Sequence, residues 1–153
     1  MSFLFGGFSE VAVVAVVDVG FTVVPTGYTG IIFNNIIYES SPSIFATLTG
    51  IFTAESDGIY MVDTTINTDN LTVTNANGTV IIRVNKNATT ELESHWTSDI
   101  AATTGQKSIG SQVLVSCVAG DEISIQARGP AIDLPFQVGN TTPGILSIMK
   151  VSG

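Results

Sequence analysis

Three stretches constrain this chain most: Ile31-Ile-Phe-Asn-Asn-Ile-Ile-Tyr38, Thr49-Gly-Ile-Phe-Thr-Ala-Glu-Ser-Asp-Gly-Ile-Tyr60 and Gln112-Val-Leu-Val-Ser-Cys-Val-Ala-Gly-Asp-Glu-Ile-Ser-Ile-Gln126. Each alternates apolar and polar residues or forms a short apolar run, as expected of a strand half or wholly buried in a sheet, and glycine-containing turns close them. Comparable segments recur over 11–24 (broken near Gly20), 30–38, 51–52, 58–67, 71–74, 79–85, 90–94, 111–118, 122–127 and 145–151. Eight to ten short strands with no convincing helix predict an all-β sandwich. Asn77-Gly78, which tolerates positive φ at both central positions of a type I′ turn, predicts a hairpin there. Further reversals are expected at Pro25-Thr-Gly27, Gly120-Asp121 and Thr142-Pro-Gly144.

At 153 residues the chain is long enough for one domain with a full core. Residues 1–10 read as an apolar N-terminal arm and 11–153 as the domain. The arm carries Phe3, Leu4, Phe5 and Phe8 around a glycine pair. Such side chains need cover, either on their own domain or as a docking arm inserted into a neighbour. The run Val11-Ala-Val-Val-Ala-Val-Val17 is bracketed by Glu10 and Asp18, has no preceding Lys or Arg, and falls far short of the ~20 residues of a membrane span. It reads as a valine-rich strand, so neither an export signal nor a span is recognisable in the residues as written.

Charge narrows the partners. Five Lys or Arg against thirteen Asp or Glu give a formal net charge of −8, and the five cations are scattered, so no footprint for nucleic acid exists. The single Cys117 lies in an apolar run and reads as a reduced core thiol, with an intermolecular bridge or a reactive thiol as the alternatives.

The order of these segments resembles the globular heads of complement component 1 q-subcomponent and the related tumour necrosis factor-like domains. The likeness rests chiefly on Gly50, Phe52, Thr53, Ala54, Gly58 and Tyr60, with Asn77 to Asn85, the Gly120-Asp121-Glu122 turn and the closing Gly144-Ile-Leu-Ser-Ile-Met149 in matching order. It implies a jelly roll of about ten antiparallel strands assembling as a compact homotrimer, with Tyr60, Phe52, Tyr38, Val62 and Ile148 as interface candidates. Phe52 and Ile59 are expected to fill the interior and Tyr60 to face outward, onto a second subunit or a neighbouring strand of its own chain. The chain departs from the pattern in showing no collagenous or coiled-coil leader, no export signal and no aromatic before Gly144. With a short apolar arm, that implies a virus or bacteriophage component: a capsid decoration, spike or fibre tip at the virion surface, contacting capsid or other virion proteins. The alternative is an extracellular recognition head that binds a host receptor protein or glycan through its loops.

Catalytic chemistry finds little support. His95 is the only histidine, beside Trp96 and near Glu91, Glu93 and Asp99, and reads as part of an exposed loop anchored by Trp96. No nucleophile motif, phosphate loop or cysteine pair accompanies it, so no enzyme, catalytic residue or metal site is expected. The excess of acid leaves a structural calcium as the one small partner worth weighing. Asn87, His95 and Trp96 are the loop-recognition candidates, and Asn70, Asn77, Asn87 and Asn140 each begin an Asn-x-Thr sequon.

Overall fold

The structure, a computed structural model, describes residues 10–18, 22–23, 27–68, 77–99, 107–128, 134–135 and 144–152. Its strands are β1 (Glu10–Val16), β2 (Thr22–Val23), β3 (Thr29–Gly30), β4 (Asn35–Glu39), β5 (Phe45–Ala46), β6 (Ile51–Thr53), β7 (Gly58–Thr68), β8 (Asn77–Lys86), β9 (Thr89–Asp99), β10 (Lys107–Cys117), β11 (Glu122–Arg128), β12 (Leu134–Pro135) and β13 (Ile145–Ser152). One sheet has the order β10-β7-β13-β1-β4. The other runs β5-β6-β11-β8-β9, with β3 also pairing β11, and β12 pairs β2 apart from both. All pairings are antiparallel. The all-β, two-sheet sandwich expected from the alternation is therefore present, with the first and last long strands adjacent in the middle of one sheet.

Period-two alternation builds the core. Ile123, Ile125 and Ala127 of β11 and Ile82 and Val84 of β8 point inward from one sheet, and Val62, Ile66, Val115, Leu146 and Ile148 from the other. Phe33, Phe45 and Phe52 fill the space between them. Glycine matters most at Gly50, buried at φ +69°, where an added Cβ would stand 2.5 Å from the carbonyl oxygen of Ile31.

Tyr60 reverses the sequence expectation. It lies inside the sandwich at 3% exposure with its ring 5.6 Å from Phe52, while Ile59 faces out at 37%. Its hydroxyl donates to the Ser56 carbonyl at 2.8 Å, so the polar tip is satisfied at the end of the core. Tyr60 lies eight positions from Phe52 and falls on the same side of an alternation counted from it; the outward expectation counts instead from Ile59, an apolar residue that faces solvent.

The hairpin turn also moves. Asn77 and Gly78 are strand residues, opposite Asp99 and Ser98 in the β8–β9 ladder, and the chain reverses at Asn87-Ala88 instead, with φ of 50° and 65°. Ladder pairing over ten register partners outweighs the local preference of one dipeptide. The expected strand at 71–74, the sequon residues Asn70 and Asn140, and the arm residues Phe3, Leu4, Phe5 and Phe8 lie outside the described residues.

One inward row of the five-stranded sheet, Ala15–Leu146–Thr64–Ser111, carries a hydroxyl without use: Thr64 Oγ1 is buried with no hydrogen-bond partner among the described residues. An unpaired buried hydroxyl forfeits its hydration for nothing in return. Thr64→Val, of nearly the same shape, is expected to stabilise the protein by about 1 kcal/mol, read as a higher urea midpoint at unchanged slope.

Candidate functional site

The outward face of the five-stranded sheet is where the molecule leaves apolar surface unspent. Register places Val11, Met149, Met61 and Leu114 side by side across β1, β13, β7 and β10. The next outward row is Tyr38, Val14, Ser147, Asp63 and Gln112, and the one beyond pairs Ile145 with Thr65 and Gly110. Leu114 is 62% exposed and Tyr38 50%, with Ile59 and Ile145 also open. Asp63 is the acid among these rows; it accepts a hydrogen bond from Gln112 Nε2 at 3.3 Å. The row Val11–Met149–Met61–Leu114 is apolar across four strands, while the rows beside it mix Tyr38, Val14 and Ile145 with Ser147, Asp63, Gln112 and Thr65.

This face differs from the one expected. Of the interface candidates, Phe52, Tyr60, Val62 and Ile148 are buried within the single chain, and only Tyr38 is exposed. Val11, Val14, Ile59, Met61, Leu114, Ile145 and Met149, which line the outward face, are not among the candidates read from the sequence. The sequence carries part of their signal, since Ile59 and Met61 in β7 and Ile145 and Met149 in β13 are apolar beside core positions, but Asp63, Thr65 and Ser147 interrupt the pattern.

The loop-recognition candidates also change character. His95 and Trp96 lie on strand β9, opposite Ile81 and Val80, rather than in a loop. The reason is the length of β8: a ten-residue strand holds its partner in the ladder through Asp99. Asn87 sits at the turn with both amide atoms engaged, Nδ2 donating to Asp121 Oδ1 at 2.8 Å and Oδ1 accepting from the Glu122 N–H at 2.9 Å. Its own N–H donates to the Glu122 carbonyl at 2.8 Å. Asn87 is therefore a clamp between the β8–β9 and β10–β11 turns, and its side-chain nitrogen is occupied. Ala88 beside it holds a left-handed φ without being glycine. Ala88→Gly is expected to relieve about 1 kcal/mol of strain, checked by thermal and urea unfolding.

The clamp leaves an electrostatic trace. Hydrogen bonds from Asn87 and then from the Val118 N–H, helped by Lys86, hold the Asp121 carboxyl below its ordinary 3.8. A folded-state value below the unfolded one means this contribution is full above pH 3.8 and is lost as pH falls through the folded-state value. Asp121→Ala is expected to flatten the stability-versus-pH curve below about pH 4, measured by urea midpoints across an acid series. Neighbouring Asp57 is likewise occupied, accepting from the Ala119 N–H at 2.9 Å. Among the described residues no group of three or more His, Cys, Asp or Glu is placed to hold a metal ion.

Two further clusters are structural. Tyr28 Oη donates to Glu93 Oε1 at 2.9 Å, Arg83 Nε donates to the same oxygen at 3.0 Å, and the guanidinium lies 3.5 Å from the Tyr28 ring centre. Burial, then the bond to Glu93, pushes the Tyr28 phenol up, so this trio fastens the chain before β3 onto β8 and β9. Sequence reading could not find it, because Tyr28 and Glu93 are 65 positions apart. Cys117 is buried and unpaired, and burial raises its thiol above the usual range, which makes it a packing residue rather than a nucleophile. Among the described residues no helix is long and apolar enough to cross a membrane.

The two-sheet arrangement, with the first and last long strands central in one sheet, is the C1q/TNF-like jelly roll. The chain is similar to the globular domain of zebrafish complement 1qA protein at a TM-score of 0.59 and 12% identity, over 91% of this chain and 95% of that one. It is similar also to Eiger TNF from S. frugiperda, at a TM-score of 0.60 and 13% identity, over 92% of each chain. No protein-family model matches the sequence, and no curated protein matches it.

Proposed function

We propose that this protein is a non-enzymatic recognition head that assembles as a homotrimer through the outward face of its five-stranded sheet and binds a protein or glycan with the surface left over. The observation that carries the reading is the continuity of apolar side chains from Val11 through Met149 and Met61 to Leu114. In a ring of three the edge of the next copy covers this apolar row, with Asp63 in the row beside it keeping its bond from Gln112, and obligate interfaces of this kind resemble a core cut in half. The fold shared with a complement head and a TNF supports the same reading.

A narrower form of the proposal makes the trimer a decoration or spike on a virion, with Phe3, Leu4, Phe5 and Phe8 as its anchor to capsid proteins; the run of aromatics ahead of Glu10 is what favours it. Size exclusion with light scattering on the full chain, and on a form lacking residues 2–9, tests both. Three chains per particle in both forms supports the sheet-face trimer and leaves the arm for docking elsewhere. One chain per particle at micromolar concentration in the full protein overturns the trimer.

A further inference from the structure

The outer face of the other sheet holds a different surface: a polar concavity of about 160 Å³, lined by Ile51, Asn85, Ala88, Glu122, Ser124 and Gln126. Its floor is built from the register that sets Ser124 of β11 opposite Asn85 of β8. Asn85 is a polar residue only 4% exposed, and both ends of its amide are used. Nδ2 donates to Gln126 Oε1 at 2.8 Å and Oδ1 accepts from Thr90 Oγ1 at 3.2 Å. Those bonds fix the Gln126 amide with its Nε2 donor uncommitted. Among the described residues no partner engages that nitrogen, the Ser124 hydroxyl or the Glu122 carboxylate.

The concavity therefore presents one fixed donor, one hydroxyl that both donates and accepts, and one ionised acceptor, beside the apolar wall of Ile51. That alternation matches a ring bearing vicinal hydroxyls. Its volume is about half the ~300 Å³ at which pockets begin to engulf drug-sized ligands, which suits a single ring. Among the described residues no Lys or Arg lines it, and Glu122 together with the overall charge of −8 disfavours anionic ligands. A cation would find one carboxylate and no aromatic cage.

We infer that this concavity binds a neutral hexose, with Gln126 Nε2, Ser124 Oγ and the Glu122 carboxylate hydrogen-bonding its hydroxyls. The inference gives the recognition half of the proposed function a ligand class, and it does not depend on the trimer.

The test is a titration of the full ¹⁵N-labelled chain, followed by amide NMR, with glucose, galactose and mannose separately and with glucuronate and propylammonium as competing chemistries. Saturable shifts of the Ala88, Ser124 and Gln126 amides with at least one neutral hexose are expected. Affinity should fall about tenfold in Glu122→Ala and in Ser124→Ala, the loss of one hydrogen bond each. Among the described residues neither side chain makes a hydrogen bond, so both variants should keep the dispersed spectrum of the parent. Failure to saturate with any of the three hexoses, tighter binding of glucuronate or propylammonium, or shifts indifferent to both substitutions overturns the inference. A trimer by light scattering combined with any of those results removes the sugar site and leaves the assembly standing.

Discussion

Gly50→Ala is expected to cost about 3 kcal/mol or more, enough to leave a large fraction of a marginally stable domain unfolded. Two effects act together. The residue sits at φ +69°, where any side chain is strained by about 1–2 kcal/mol. Its Cβ would also meet the Ile31 carbonyl oxygen at 2.5 Å, a backbone atom that cannot swing aside. That carbonyl precedes Ile32, and the Ile31 N–H bonds to Ile125 at 2.9 Å, so relief of the clash must pull on β11. The Gly50 N–H itself donates to the Ala46 carbonyl at 2.7 Å, closing the turn between β5 and β6. Urea unfolding followed by tryptophan fluorescence reads the loss, and a midpoint within error of the parent would show that the turn relaxes without cost.

Leu114→Arg is expected to convert three chains per particle into one, with each chain still folded. Leu114 is 62% exposed and lies at the β10 edge of the apolar row formed with Met61 and Met149. In a single chain a guanidinium there stays in water. In a covered face it loses its water, and even beside Asp63 of the neighbouring row that desolvation costs several kcal/mol per copy, beyond what a hydrophobic contact returns. Light scattering should give a mass near 16.0 kDa. Far-ultraviolet circular dichroism should keep its β signature. A trimer that survives the substitution would place the interface elsewhere on the molecule.

The layers of the fold were legible because burial writes itself into a period of two. Ile123, Ile125 and Ala127 announce an inward face from the sequence alone. Positions that depend on where the count starts were not legible. Counting from Ile59 puts Tyr60 outward although counting from Phe52 puts it inward, and Asn77-Gly78 reads as a turn because ladder pairing with β9 is invisible locally. The concavity and the Tyr28–Arg83–Glu93 trio share another obstacle. Asn85 and Gln126 are 41 positions apart and meet only because β8 and β11 are neighbours in the sheet. The sequence supplied the residue types for these sites, and the order of strands supplied the sites.

The place of β13 has a consequence for how the molecule comes into being. Its last strand, Ile145–Ser152, lies between β7 and β1, at the centre of its sheet. Until those residues leave the ribosome, β1 and β7 have no shared neighbour. A nascent chain can close the β8–β9 hairpin but not the wall that covers its core. Folding of that sheet therefore waits until β13 has been made, and a chain cut before Ile145 keeps most of these residues while losing the strand that joins β1 to β7.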